Sequence, residues 1–511
     1  MRAKRNEVSV VAADQTRGKG WYGRLGGERL SPIKVQKSRL PLMIFLLCLF
    51  MPFLREVGGL ALTPTRLFLL ATMLPFLYKL VSGQIGRFTW VDGFMLLHGL
   101  WVFVALIAVH GTERIPFAGI TVVELVGGYF AGRVLVRDAE DYRWFLRFIF
   151  VVLLCLAPLV LIESLTGKLI IPDFFRGIFD TPTRDRSARG RMGMERVQMV
   201  FDHPILWGLF CVTMLANFVM LLHGRGVLRW FAAIFVLWLT MTSLSSGPLL
   251  ACFLSLFLLA WNWIMKGRWK LLIILSIILY VGVDMASNRT PVTILISNLT
   301  FNSLSAWTRI AQFDAGMESV RNNPLFGIGF NEMPRPSWVN ASIDNFWLVS
   351  AVRYGVIAVV SVMLAFISHL WLASRLTISN LDTNRLRIGH LIAFSTHFFV
   401  LATVHVWSAV GVFIMFYMGA GAWLYTSQLD IDPDMPDPEE EGPQQATSPY
   451  SRFVQTPNPG RGRPDLGGAA RADALQTARG LSSSYSRGWN ETQERLGLVR
   501  RRAAKQGPGR K

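Results

Sequence analysis

Cysteine is scarce: Cys48, Cys155, Cys211 and Cys252 are the four in 511 residues, and each falls inside an apolar run. That placement excludes a disulfide framework, and without C-x-x-C spacing it excludes a thiolate metal site. Acidic residues are also few, 33 Asp+Glu against 52 Lys+Arg, for a formal net charge of +19. No compact basic domain gathers those cations, so a nucleic-acid partner is not expected. The excess reads instead as basic loops and tails facing anionic headgroups. Gly327-Ile328-Gly329 lacks the strand–helix context of a nucleotide loop and reads as a tight turn. No metal and no cofactor are expected. No cleavable signal peptide is visible, because the first apolar run begins near Leu40; that run is expected to act as an uncleaved anchor.

What the chain has is apolar length. It is 52% hydrophobic with a mean hydropathy of +0.38, which indicates an all-α, polytopic membrane protein. Runs of spanning length, about 17–25 residues, are expected at 40–54, 60–81, 93–110, 116–135, 144–164, 203–222, 227–245, 246–265, 269–287, 346–373, 389–406 and 408–426, twelve in all. With a cytoplasmic N-terminus, the loops holding Lys79/Arg87, Arg133/Arg137/Arg143, Arg225/Arg229, Lys266/Arg268/Lys270 and Arg375/Arg385/Arg387 share the cytoplasmic side. Three regions follow: a basic cytoplasmic leader (1–39), a transmembrane catalytic domain (40–426), and a disordered cytoplasmic tail (427–511). The tail is acidic and Pro-rich at Asp430–Glu441 and then rich in Gly, Ser and Arg, with too few apolar residues to build a core.

Two long connections, 165–202 and 288–345, land outside, in the periplasm. The first holds Lys168, Arg176, Arg184, Arg186, Arg189, Arg191 and Arg196. It reads either as a solvated loop or as a site for an anion such as a diphosphate, which the planar guanidinium suits. The second, rich in Arg, Asp, Asn and aromatics on an otherwise apolar body, is where chemistry is expected.

Four segments together carry a resemblance. They are Arg196-Val197-Gln198-Met199-Val200-Phe201-Asp202-His203-Pro204; Ser243-Leu244-Ser245-Ser246-Gly247-Pro248; Trp307-Thr308-Arg309 followed by Asn323-Pro324-Leu325-Phe326-Gly327-Ile328-Gly329; and Asp344-Asn345, nine residues, then Gly355. In order and spacing, over roughly residues 60–425, the chain resembles the O-antigen ligase and O-antigen polymerase superfamily of bacterial inner-membrane glycan transferases. The resemblance implies a lipid-dependent glycosyltransferase fold and metal-independent transfer of a glycan from undecaprenyl diphosphate to an acceptor hydroxyl at the outer leaflet. By motif, Arg196 and Arg309 match arginines that hold the diphosphate, and Asp344 stands where the ligases have His. Asp-Asn at this site resembles the polymerase branch. Ser246, where Arg often follows Ser, and Arg353, where an acid or amide is common, depart from the pattern.

The expected catalytic residues are therefore Asp344 and Arg309, with Arg196, Arg191, His203 and Asn345 binding substrate. Each has a plain alternative. Arg309 could snorkel at the interface, Asp344 could cap the following helix, and His203 could be part of a helix start. Arg66, near the outer start of the second span, could line the cavity, but a plain surface role is the expected one. The expected function is polymerisation of lipid-linked repeat units for O-antigen, capsule or exopolysaccharide in the bacterial inner membrane. The runner-up is ligation of O-antigen to lipid A–core. Expected partners are the lipid-linked glycan, membrane lipids, and a flippase or chain-length regulator.

A transporter or flippase would place charges within several spans, but here the intramembrane acids are Glu124, Glu163 and Asp284. A membrane-anchored assembly factor, acting through its basic tail, is the remaining rival. Deleting residues 430–511 separates it from an enzyme. Product from the truncated protein in vitro is expected, whereas an assembly factor should fail outright.

Overall fold

The computed structural model describes residues 38–57, 60–179, 190–191, 193–287, 303–339 and 342–426. The expected leader, apart from Ser38 and Arg39, and the expected tail lie outside the described residues. So do Arg184, Arg186 and Arg189 of the first outer connection and residues 288–302 of the second.

The chain is mostly helical. α1 (Leu40–Leu49) leads into a short antiparallel hairpin, β1 (Arg55–Val57) and β2 (Leu60–Leu62), with Arg55 opposite Leu62. Then follow α2 (Pro64–Val81), α3 (Trp90–His110), α4 (Ile115–Leu135), α5 (Ala139–Thr166), α6 (Ile170–Phe179), α7 (Pro204–Leu221), α8 (Gly226–Met241), α9 (Ser246–Ile264) and α10 (Trp269–Ala286). α11 (Ser303–Asn322), α12 (Phe346–Tyr354), α13 (Val356–Arg375), α14 (Leu381–Val400), α15 (Ser408–Ala420) and α16 (Trp423–Thr426) complete the order. Local chemistry sets many of the starts. Thr63 accepts from the Arg66 N–H ahead of Pro64, Thr89 and Asp92 form a reciprocal capping box, and Asp138 accepts from the N–H groups of Glu140 and Asp141.

Among the described residues nine helices are long and apolar enough to cross a membrane. The expected twelve spans are met to that extent. Leu40–Leu49 and Gly226–Met241 are apolar but shorter, and α14 opens with Asp382, Arg385 and Arg387. Three expected boundaries also change. The span expected at 346–373 is broken into α12 and α13 at Gly355, where φ is +84°. The span expected at 389–406 ends at Val400, leaving 401–407 outside any helix. The two outer connections contain helices α6 and α11 of their own.

α7 is the central helix, with 89% of its apolar window buried, whereas α10 contains no buried residue. Apolar over most of its length, α10 suits a lipid-facing place, with Trp269 and Leu272 packed against the core. The closest packing lies between α4 and α15. A Cβ on Gly128 would meet the Val412 carbonyl at 2.6 Å, one on Gly132 would strike the Phe416 carbonyl, and one on Gly419 would strike the Tyr129 carbonyl. Small residues four apart let two backbones approach in a setting where lipid offers no hydrophobic drive. Several polar groups inside the bundle find partners. Asp92 accepts from Tyr129 (2.7 Å) and pairs with Arg133 (3.3 Å), while Tyr142, His390, His369 and Tyr425 form a hydrogen-bonded series. Gly132→Leu should lower stability at least as much as an overpacked core, about 1–3 kcal/mol. The check is a lower melting temperature in detergent; an unchanged one would show that the α4–α15 contact yields freely.

Candidate active site

α11 carries Arg309 and Gln312 on one side, against the start of α12. The Arg309 Nε lies 3.5 Å from Asp344 Oδ2; the arginine side chain is 17% exposed and the carboxylate 39%. Asp344 immediately precedes the cap of α12, and that cap is Asn345, whose Oδ1 accepts the Leu348 N–H at 3.0 Å. The cap reading of Asp344 is thus corrected: its neighbour fills that place, leaving the carboxylate to the arginine. Asn345 lines the same cleft, although its side-chain oxygen is occupied by the helix.

The cleft is bounded by Arg309, Gln312, Phe313, Asp344, Asn345 and Thr403, and holds only about 20 Å³. That is room for roughly one water. Glycines fix this geometry from behind. Gly327 and Gly329 have φ of +66° and +61°, and the N–H groups of Ile328 and Gly329 donate to the carbonyls of Val352 and Arg353. A Cβ on Gly355 would strike the Leu325 carbonyl. Only glycine permits so close a backbone approach at positive φ. The third and fourth motifs are therefore bound to each other directly.

A second cluster joins the first two motifs. Arg196 is buried and donates through Nε to the Ser243 carbonyl (3.2 Å) and through Nη2 to Ser245 Oγ (2.6 Å). Arg191 donates to the Leu244 carbonyl at 3.2 Å. The segment between is anchored below by Glu163 of α5, which accepts from the N–H groups of Gln198 (2.7 Å) and Met199 (3.1 Å). Burial, and then the charge of Arg191, lowers the Arg196 pKa to about 10, so it stays cationic at neutral pH. His203 caps α7, its Nδ1 accepting from the Ile205 N–H (3.1 Å). Burial, Arg196 and Arg191 lower its pKa to about 4. Arg66 does not lie free on the surface; it pairs with Glu124 at 2.8 Å and donates to the Ala61 carbonyl.

The 401–407 segment lies between the two clusters. Val404 packs against Gly247, the Phe346 N–H donates to the carbonyls of Leu401 (2.9 Å) and Val404 (3.2 Å), and Trp407 lies 6.0 Å from the His203 ring. His405 stacks between Phe346 (6.3 Å) and Trp407 (5.8 Å). Its Nδ1 is buried with no hydrogen-bond partner among the described residues. Sequence reasoning passed over His405, Gln312 and Thr403. The signal present was a histidine and a tryptophan, His405 and Trp407, at the edge of an apolar run, where interfacial side chains collect.

The whole defines a multi-pass, α-helical membrane protein whose arginines and a carboxylate gather at one end of the bundle. Residues 231–363 match the family model described as O-antigen ligase. Residues 231–363 are thus similar to that family, and the serine turn of the second motif, Arg309, Asp344 and Gly355 lie inside the matched segment. Arg191, Arg196 and His203 precede it, and the match covers less than half of the chain. No curated protein matches the chain.

Burial and the charge of Arg353 lower the His405 pKa to about 3. A histidine held neutral in the folded state but free to protonate when unfolded binds fewer protons folded than unfolded. Its stabilising effect is complete above the unfolded pKa, about 6.5, and is lost as pH falls toward the folded value. The melting temperature should therefore drop between pH 6.5 and pH 4, and less so in the His203→Asn/His405→Asn double variant. Equal acid sensitivity in the two proteins would contradict this account.

Proposed function

We propose that this chain is a bacterial inner-membrane glycan polymerase that joins oligosaccharide repeat units carried on undecaprenyl diphosphate. The observation that carries this reading is the Arg309–Asp344 pair in the cleft: a cation suited to phosphate beside a carboxylate suited to a hydroxyl. In the reaction an acceptor hydroxyl oxygen, on a second lipid-linked unit, attacks the anomeric carbon of the donor glycan. The bond from that carbon to the diphosphate oxygen breaks, and its electron pair leaves with the lipid diphosphate. Asp344 takes the hydroxyl proton, and Arg309 offsets the charge growing on the departing phosphates. Arg196 and Arg191, held on the Ser243–Ser245 turn, supply further positive potential where lipid headgroups lie. These arginines act as the countercharge, so the transfer runs without a metal ion.

The cleft is shallow and open to solvent, and the Arg309–Asp344 contact across it is long enough for an incoming substrate to displace. An incoming diphosphate competes for the guanidinium with bidentate hydrogen bonds and releases Asp344 to act as base. Donor binding thereby switches on the carboxylate. Both termini lie in the cytoplasm in this reading, the cleft faces the periplasm, and a flippase or a chain-length regulator acts beside the enzyme. A second reading, ligation of a finished glycan to lipid A–core, is favoured by the family description attached to residues 231–363.

The deciding assay uses purified protein and lipid-linked repeat unit alone. A ladder of products supports the polymerase, and reaction only on adding lipid A–core supports the ligase. Arg309→Ala should reduce turnover by at least about 100-fold while the protein still purifies as a single species. Normal product from that variant would remove the diphosphate clamp. Asp344→Asn should cost about 10²–10⁴-fold, and full activity would deny the carboxylate a role as base.

A further inference from the structure

A second, larger cavity opens along the same helix that carries Arg309. It encloses about 310 Å³ between α11, the 327–334 loop and the end of α3, within the range of small-ligand sites, about 300–1,000 Å³. Its polar lining consists of Glu318, Ser319, Asn322, Asn323, Asn331 and Glu332, and no Arg, Lys or His lines it. That composition is the reverse of the Arg309 end. The neighbouring Arg335 is held by Glu332 (3.9 Å) and by the carbonyls of Met333 and Val339, so the lining suits a phosphate poorly. Side-chain amides and carboxylates, each able to engage two neighbouring hydroxyls, suit a neutral polyol. The two carboxylates do not make a cation cage either: among the described residues no group of three or more His, Cys, Asp and Glu is placed to hold a metal ion.

Position makes the cavity informative. Arg309 and Gln312 line the catalytic cleft, and Ala315, Ser319 and Asn322 line the cavity, so steps of three and four residues continue one stripe of α11. Between them, Gly316 sits under Leu348, which a Cβ would approach to 2.7 Å, so α11 is seated on α12 midway between the two sites. Glu318 and Asn322 lie nine and thirteen residues past Arg309, about 14–20 Å along the axis. That contact buries the stripe itself, but Phe313, Asp314 and Glu318 are exposed on the same helix, so a chain of sugars whose terminal diphosphate is held at Arg309 can pass over them and reach the cavity.

We propose that the cavity formed by Glu318, Ser319, Asn322, Asn323, Asn331 and Glu332 is a saccharide subsite, which binds the uncharged hydroxyl-rich part of the lipid-linked glycan at a distance from its diphosphate. The proposal rests on the glycan-transfer reading above for the identity of the ligand. The subsite holds sugar residues beyond the reacting one, and so helps to set which repeat unit is accepted.

The test measures binding, with no turnover required. The probe is the repeat-unit oligosaccharide released from the host's own lipid carrier by mild acid, free of lipid and phosphate. Binding to the full-length purified protein is followed by saturation-transfer NMR. Inorganic diphosphate is the parallel probe. Glu318 and Asn331 are exposed, so Glu318→Ala/Asn331→Ala should stay folded. This variant should weaken the oligosaccharide by at least about tenfold and leave diphosphate binding unchanged. Arg309→Ala should do the opposite. Glu318→Gln/Asn331→Asp, which keeps hydrogen-bonding groups in place, should recover part of the lost affinity. No oligosaccharide binding to the unmodified protein, or equal binding to the alanine pair, overturns the subsite. Diphosphate binding that ignores Arg309 overturns the clamp instead, and the oligosaccharide arm reads out the subsite independently.

Discussion

The contact on which the site depends is between two stretches of backbone. The turn at Leu325–Gly329 lies against the break at Gly355, with N–H groups of the turn donating to the last carbonyls of α12. Neither stretch carries a catalytic side chain, yet together they fix the angle between the helix that bears Arg309 and the helix that Asp344 precedes. A side chain at Gly355 would push the turn away, and the arginine would lose its carboxylate. The spacing of glycines in two distant motifs thus has a single physical cause, the short distance between two main chains.

The arginines are divided by how they are held. Arg196 is buried and spends two of its donors on the serine turn, so its charge is fixed in place before any ligand arrives. Among the described residues Arg309 is held by a longer contact to a half-exposed carboxylate, one that a stronger acceptor can replace. One cation is preorganised and the other exchangeable. A site that must bind a diphosphate and later release it benefits from both kinds, since fixed charge lowers reorganisation at the reacting centre and exchangeable charge permits turnover.

Much of this was legible in the sequence. Long apolar runs make helices whatever their tertiary surroundings, so their order could be read; among the described residues nine helices are long and apolar enough where twelve spans were expected, and several ends were misplaced. Those errors share an origin. Hydropathy reports how apolar a stretch is and does not report where its backbone breaks. Gly355 within an apolar run and the short 401–407 segment after Val400 were both absorbed into spans. The motif arginines and Asp344 could be named because the family resemblance pointed to their positions. That Asn345 takes the cap and leaves Asp344 to Arg309 could not be read, since adjacent Asp and Asn are equally good caps. His405 was hidden for the same reason as the break beside it. The pairing of the serine turn with Arg196 and Arg191, some fifty residues apart in sequence, is a product of the fold alone.

α10, which has no buried residue, stands in chain order directly before the helix that bears Arg309. Protein neighbours give a helix a fixed tilt, whereas a helix surrounded by lipid takes its tilt from the thickness of the bilayer. α10 therefore takes its tilt from the membrane's own dimensions, while the helix that bears Arg309 is seated on α12. A change in the host's lipid composition should thus be felt first by α10, while both halves of the ion pair keep the geometry of the packed bundle.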